Sequence, residues 1–424
     1  MIDIKLIREN PDNYKHAAKV KGYSIDIDEL LGVDEQLRNM KRELQDAKTA
    51  QNTAGKEIAK LPPEEKKTAA AKMGQLKQQV KELSAAIDEH ETKFSELMLL
   101  VPQIPAPEVP IGKDDSENVE VNRVGDIPVF DFELKGHVEL GEALGIIDIP
   151  RGVKLAGARN FILKGAGALL HQAVLRLAVD QMVANGYELM TVPILVNEKI
   201  MEGTGYFPLG RDDAYLCERD GQALVGTAEV SLTAYHSDEI LEEADLPRKF
   251  LAMSTCFRRE AGAAGKDTHG LYRIHFFDKV EQVILCKADG QESAILHEEI
   301  IRNAEDLLQA LELPYRIIEV CTGDMGQGKV RMFDIETWMP SRECYSETHS
   351  ASRFGDFQSR RLNIRYRDAD GNLKFVHTMN NTVVASPRIL IPLLELNQNS
   401  DGSVNIPVAL QGYMNGMKKI EPKK

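Results

Sequence analysis

No run of about 18 apolar residues occurs in the chain, so no segment of it reads as a membrane-spanning helix and no membrane partner is expected. The amino end, MIDIKLIREN, lacks the apolar stretch of a secretory leader, which makes a cytoplasmic location the expectation. Cysteine is scarce: Cys217, Cys256, Cys286, Cys321 and Cys344 are scattered, odd in number and without a CxxC pair. That argues against a disulfide framework and a zinc ribbon, and the five read as buried thiols. Neither GxGxxG nor GxxxxGK[ST] is present, so a nucleotide would need a site of another design than the Rossmann or P-loop type. Cations are in the minority, with a net charge of −14. Coating nucleic acid over a whole surface takes clustered lysines and arginines, so any such contact here must be local.

What is present is an ordinary soluble composition, 43% hydrophobic and 28% charged over 424 residues, enough for two or three domains. Residues 1 to about 25 read as a short helix and turn with a break near Pro11. From there Leu30, Val33, Leu37, Met40, Leu44, Ala47, Gln51, Ala54, Ile58 and Leu61 alternate in threes and fours, and the spacing resumes at Met73, Leu76, Val80, Leu83, Ile87, His90, Phe94, Leu97 and Val101. Two heptad helices joined through Pro62 and Pro63 predict an antiparallel coiled-coil arm, reaching about 50 Å at about 1.5 Å per residue. Lysines gather toward its tip (Lys56, Lys60, Lys66, Lys67, Lys72) among Glu57, Glu64 and Glu65. By composition alone they are a solvated face. The proline-rich PQIPAPEVP and the acidic GKDDSENVE follow as linker and surface loop, so we expect an arm over 1–105 and a second domain over 106–424.

Beyond about residue 130 strands alternate with amphipathic helices. Residues 164–185 form a long amphipathic helix, followed by YELMTVPILVNEKIM, a strand ending at Pro193. The centre of the chain is residues 250–283, two expected strands joined by a loop rich in Gly, Ala and charge, mobile enough to close over a ligand. Alternation puts Arg258 and Glu260 on one face of the first strand and Arg259 on the other. On the second it groups Phe277, Lys279 and Glu281 against Phe276, Asp278 and Val280. Pattern alone leaves two readings open, a hairpin whose charges face water and a floor that binds a ligand.

The stretch FRREAGAAGKDTHGLYRIHFFDKVE resembles motif 2 of class II aminoacyl-tRNA synthetases, in the form found in seryl-tRNA synthetases. The resemblance implies an α+β fold, an antiparallel-sheet class II catalytic domain behind an amino-terminal antiparallel helical arm. The helix and strand around 164–193 then resemble motif 1 and imply a homodimer, and the arm lysines imply contacts to the backbone of tRNA(Ser), and of tRNA(Sec) where the host has it. The implied substrates are ATP and L-serine, with Mg²⁺ as the cofactor.

Residue by residue, the resemblance gives Arg258, Glu260 and Arg388 the catalytic work. Arg258 would bridge the α-phosphate and the serine carboxylate, a task suited to a guanidinium fork. Thr227, Ala228 and Glu229, expected on a strand, join Arg258, Glu281 and Thr382 around serine. Arg258, Arg259, Glu260, Phe277, Glu347, Thr348, His349, Ser350 and Arg388 fall to ATP, with Glu347 and Ser350 matching metal-ligand positions. DFQSRR (356–361) has a structural part. In VHTMNNTVVASPRILIPLLELNQ, resembling motif 3, Ser386 reads as an N-cap, Pro387 as the first helical residue and Arg388 as part of the first turn, with Pro392 interrupting the helix. The run 380–385 is glycine-poor where many members have Gly-Ser-Gly, which implies a narrower pocket. Glu281 and Thr382 would read the serine hydroxyl, a hydrogen-bonding task that can reject alanine by roughly 10⁴-fold. Two other readings remain, a synthetase-derived ligase that loads a carrier protein and a catalytically silent paralogue that binds RNA or a protein.

Overall fold

Apolar residues every three or four positions commit a chain to helices with one buried stripe, and the amino-terminal part obeys this closely. The computed structural model describes residues 2–58, 61–263, 265 and 267–422, and they form two compact units, Met1–Pro102 and Gln103–Lys424. In the first, helices Ile4–Glu9 and Pro11–Val20 precede the long pair Ile27–Ile58 and Pro63–Leu100. Pro11 starts its helix, where a missing N–H costs nothing. Along the long pair Leu30, Val33, Leu37, Ala47 and Ile87 are buried, while Leu44, Gln51, Ala54, Met73, Leu76 and Val80 are half-buried. Lys41 pairs with Glu91 and Lys93 with Glu29, both at 2.7 Å, a pattern that only antiparallel helices allow. Lys56, Lys66 and Lys72 are exposed. Lys60 and the side chain of Lys67 lie outside the described residues.

The second unit is built on an eight-stranded sheet in the spatial order Val119–Val124, Tyr315–Glu319, Arg331–Met339, Cys344–Gly355, His377–Ser386, Phe276–Cys286, Arg248–Phe257, Glu188–Met190. Every pair is antiparallel except the last. The helices Ala166–Ala184 and Gly290–Ala310 cover one face. Val280 and Ile284 pack there with Leu170, Val174, Ile300 and Leu307, and Gln282 donates to the carbonyl of Ile300 at 2.9 Å. The opposite face of the same strands is left for a cleft.

Two bulges interrupt the alternation where it matters. One extra residue sits in Cys344–Gly355 between the partners of Ile335 and Glu336, and another in His377–Ser386 at Val383, between the partners of Glu281 and Val280. A bulge changes which face the following side chains meet. Three of the five cysteines, Cys256, Cys286 and Cys321, are buried as expected, whereas Cys217 is half-buried and Cys344 exposed, the latter at the start of a strand after a surface turn. No helix among the described residues is long and apolar enough to cross a membrane.

Gly152 lets the helix Ile149–Ala156 lie against the backbone of residues 160 and 161. A Cβ there would fall 2.6 Å from Phe161 Cα and 2.8 Å from the Asn160 carbonyl, and backbone cannot swing aside as a side chain can. Gly152→Ala should therefore cost about 1–3 kcal/mol of stability, read as a lower thermal midpoint. An unchanged midpoint would mean that this segment shifts freely.

Candidate active site

The cleft has a volume of about 330 Å³, and its floor is laid by the neighbouring strands 276–286, 377–386 and 344–355. Phe277, Lys279 and Glu281 face it, as alternation requires, while Asp278 turns to the helix side and accepts from His171 at 2.9 Å. That bond holds the Asp278 carboxyl below its ordinary pKa. Lys279 is in direct contact with Glu281, both almost wholly buried, and reaches the Thr382 hydroxyl at 3.3 Å. Burial lifts the pKa of Glu281 while the ammonium of Lys279 pulls it back. The result is a dry ion pair with a hydroxyl on it. Asn380 lines the cleft beside it, 4% exposed, with an amide nitrogen that has no hydrogen-bond partner.

Arg258 and Glu260 both line the cleft, but they do not lie on the strand as expected. The strand ends at Phe257, and Glu260 takes a left-handed φ of 54° in the turn that follows. Asp213 holds that turn: its backbone carbonyl accepts from the Arg259 N–H at 2.9 Å and its carboxylate from the Ala261 N–H at 3.1 Å. Arg258 lies over the Phe277 ring at 5.2 Å, and its Nε reaches the Gly226 carbonyl at 3.4 Å. Burial opposes its charge, yet the groups around it, Glu347 and Glu260 among them, keep its pKa above the usual value. Arg259 is exposed and does not line the cleft. The loop expected to be mobile is tied at the residues described. The Arg159 guanidinium donates to the carbonyls of Ala263 (2.6 Å), Asp267 (3.2 Å) and Arg273 (3.2 Å). Lys266 lies outside the described residues.

Thr227, Ala228 and Glu229 also depart from expectation, because residues 229–233 form a short helix rather than a strand. Thr227 accepts from the Glu229 N–H at 3.2 Å, satisfying a donor that the helix start leaves free. Thr227 and Ala228 are buried away from the cleft, and Glu229 alone of the three reaches it. Tyr206 and Gln358 each donate to the Glu229 carboxylate at 2.8 Å, so the structural part expected of 356–361 is to hold this acid.

Glu347 and Ser350 are three apart and would face opposite ways in a regular strand. The bulge between them brings both, with Thr348, onto the cleft. His349 faces the other way and is 1% exposed. Its Nε2 lies 3.0 Å from the Val383 carbonyl, at the second bulge, and its Nδ1 2.8 Å from the Thr348 hydroxyl. Burial lowers its pKa to about 4, so the ring is neutral, with Nε2–H donating to that carbonyl.

Arg388 lines the cleft from a turn, not from a helix. The strand continues through Ser386 and the helix starts at Leu390, so Ser386 is not an N-cap, nor Pro387 a first helical residue. Instead Ser386 is buried and hydrogen-bonded to His171 at 2.8 Å. Pro392 does not interrupt the helix: it is the third residue, where no intrahelical donor is needed, and the Ile391 N–H takes the Arg388 carbonyl at 3.1 Å. Arg388 donates to the Glu347 carbonyl at 3.1 Å and meets its carboxylate at 3.4 Å.

Of the residues expected from sequence, the cleft thus gathers Glu229, Arg258, Glu260, Phe277, Glu281, Glu347, Thr348, Ser350, Thr382 and Arg388. It leaves out Thr227, Ala228, Arg259 and His349. It adds Lys279, Asn380, Tyr206 and Tyr272, which the sequence reading gave no role. Lys279 had a signal in its face-sharing with Glu281; the others had none.

Comparison with known proteins covers the chain from end to end. The seryl-tRNA synthetase N-terminal domain family matches residues 1–105, and the tRNA synthetase class II core domain (G, H, P, S and T) matches residues 215–397. The serine–tRNA ligase of Deinococcus radiodurans is 45% identical over 99% of both chains, and that of Fervidobacterium nodosum 42% identical over the whole of both. Among solved structures, the seryl-tRNA synthetase of Pyrococcus horikoshii complexed with ATP aligns over the full length of both chains with a TM-score of 0.91 and 36% identity.

The buried His349 carries a pH signature. With a folded pKa of about 4 against about 6.5 unfolded, the unfolded chain binds one more proton between these values. Its contribution is intact above pH 6.5 and is lost as pH falls toward 4. His349→Gln, which keeps a donor for the Val383 carbonyl without titrating, should reduce the acid slope of the unfolding free energy by about one proton in that window. An unchanged slope would mean that His349 is charged in the fold.

Proposed function

The chain belongs to the seryl-tRNA synthetase family of class II aminoacyl-tRNA synthetases, and from that premise we propose how its cleft divides the work. The activity is that of a serine–tRNA ligase, which activates L-serine with ATP to seryl-adenylate and then transfers the seryl group to tRNA. In the first step the serine carboxylate attacks the α-phosphorus and pyrophosphate leaves in line. Two anions must meet and charge grows on the phosphoryl oxygens, so fixed cations carry the catalysis and no covalent protein nucleophile is needed. The observation behind our reading is the convergence on one cleft of Arg258, of Lys279 with Glu281 and Thr382, and of Arg388 with Glu347.

Arg258 holds the serine carboxylate and the α-phosphate together. At the inner end, Glu281 and Glu229 take the ammonium, and Glu281 with Thr382 accepts and donates to the serine hydroxyl. Lys279 is the counter-charge that opposes the rise burial imposes on the Glu281 pKa, and Asn380 offers its free amide N–H beside them. An alanine there leaves these groups unpaired, which is the penalty that selects serine. Arg388 and Phe277 flank the nucleotide, with Glu260 and Thr348 beside the phosphates.

Mg²⁺ fits this donor set. Glu347 is half-exposed to the cleft, Ser350 shares its face, and Asp334, paired across the ladder from Ser350, has a buried oxygen without a hydrogen-bond partner. No group of three His, Cys, Asp or Glu residues able to hold a metal occurs among the described residues, so phosphate and water would supply most ligands. Glu347 and Ser350 would hold the ion, which when bound neutralises charge on the phosphates.

Exposed Leu169, Val183 and Leu189, on the helix Ala166–Ala184 and the edge strand beside it, support a homodimer. The exposed Lys56, Lys66 and Lys72 support contacts to tRNA(Ser) through its backbone, and to tRNA(Sec) where the host makes it. A cytoplasmic site of action goes with this role.

Serine-dependent pyrophosphate exchange followed by charging of tRNA(Ser) tests the assignment. Exchange independent of serine would overturn it, and activation without charging would favour a carrier-loading ligase. Arg258→Ala should lower exchange by roughly 10²–10³-fold or more. Trimming the tip of the arm should spare exchange and impair charging. If both reactions fell together on trimming, the proposed separation of arm and cleft would be wrong.

A further inference from the structure

Tyr272 lines the cleft and has no part in the scheme above. Two guanidiniums lie against its ring, Arg342 with its Cζ 4.0 Å from the centroid and Arg388 with its Cζ at 4.5 Å. Its carbonyl also accepts from Arg388 Nε at 3.2 Å, so one residue touches Arg388 twice. Arg342 is itself fixed, donating to Asp267 at 2.6 Å and to the Ser346 hydroxyl at 3.0 Å. The ring is thereby held by a cation that cannot wander.

Arg388 needs such support because its other side-chain partner is claimed twice. Glu347 meets Arg388 at 3.4 Å with a half-exposed carboxylate, and the same carboxylate is the one that would hold a cation on the phosphates. An oxygen turned to a divalent ion is lost to the guanidinium. What then remains is the Glu347 carbonyl, the Tyr272 carbonyl and the Tyr272 ring. Arg388 has no helix to stiffen it, since it sits in the turn before Leu390. Burial keeps the Tyr272 phenol above its usual pKa, so the ring stays neutral, with the electron-rich face that attracts a cation.

We propose that Tyr272 is a positioning residue for ATP, a shelf whose ring holds the Arg388 guanidinium in its nucleotide-facing place when Glu347 is engaged elsewhere. The proposal rests on the placing of Arg388 against ATP given above. It concerns the aromatic face and not the hydroxyl, so Tyr272→Phe should behave as the parent. Tyr272→Leu fills part of the space without a π face.

The test is serine-dependent pyrophosphate exchange with ATP and serine varied in turn, on the full chain with Mg²⁺ present. Tyr272→Leu should raise KM for ATP about tenfold, with KM for serine and the thermal midpoint near those of the parent, and Tyr272→Phe should restore KM for ATP. On an Arg388→Ala background the Leu change should add nothing further. If Arg388→Ala leaves KM for ATP unchanged, the placing of Arg388 fails. If Arg388→Ala raises it and Tyr272→Leu does not, the shelf alone fails. A Phe variant as impaired as Leu, or equal rises in both KM values, would also overturn the shelf. Should Tyr272→Leu lower the thermal midpoint, Tyr272→Met carries the same expectation and is read in the same way.

Discussion

A β-ladder allows only alternate residues to share a face, and the cleft of this protein depends on breaking that rule at two chosen places. In the strand 344–355 the extra residue lets the adjacent Glu347 and Thr348 both meet the cleft, with Ser350 beyond them. In the strand 377–386 the extra residue at Val383 lets Thr382 and Ala385 share a side. Without the first, the acid and the hydroxyl that would hold a cation could not face the same phosphate. Without the second, Thr382 could sit over Glu281 only if the chain leading to Arg388 left on the helix side. The chemistry of the site is therefore set by where pairing is interrupted, more than by which strands pair.

Interrupting a ladder frees backbone groups, and a buried carbonyl left alone costs about 1–3 kcal/mol. His349 answers this cost at Val383, and its burial on the helix side is what makes it useful there: a neutral ring donates one N–H to the carbonyl and turns its other nitrogen to the Thr348 hydroxyl. Asn381, also wholly buried, donates to the Ile300 carbonyl at 2.6 Å and ties the glycine-poor run to the helix behind it. These side chains give the run 380–385 a rigidity that glycines would lack.

Features with a period were legible in the sequence. The seam of the long helix pair and the grouping of Phe277, Lys279 and Glu281 follow from spacings of three and four, or of two, repeated often enough to stand out. Single-residue departures were not legible. Arg258 and Glu260 share the cleft, as expected, but through a turn with a left-handed residue, which leaves no mark on an alternating pattern. The helix at Glu229 is too short to show a period, and Arg388 precedes its helix because the strand runs through Ser386 and the helix starts only at Leu390, three residues after the start that turn chemistry suggested. His349 and Tyr272 were opaque for another reason: their partners, Val383 and Arg388, lie 34 and 116 residues away, and only the closed sheet brings them together.

The cleft holds as many carboxylates as cations, although it must receive the triphosphate of ATP, and the geometry of the pairs indicates how this is reconciled. Lys279 and Glu281 touch in a place almost without solvent, where separating them would leave two buried charges. That pair is held in place, and in the proposed assignment serine would meet it as it stands. Arg388 and Glu347 meet at 3.4 Å with the carboxylate half in solvent, a contact of little net worth that can be given up cheaply. In the proposed assignment the loose pair lies where the phosphates and their cation would arrive, and each member would find there a partner of opposite charge. A tight pair at the proposed amino-acid end and an exchangeable one at the proposed nucleotide end would let a single cleft be rigid toward serine and responsive toward ATP.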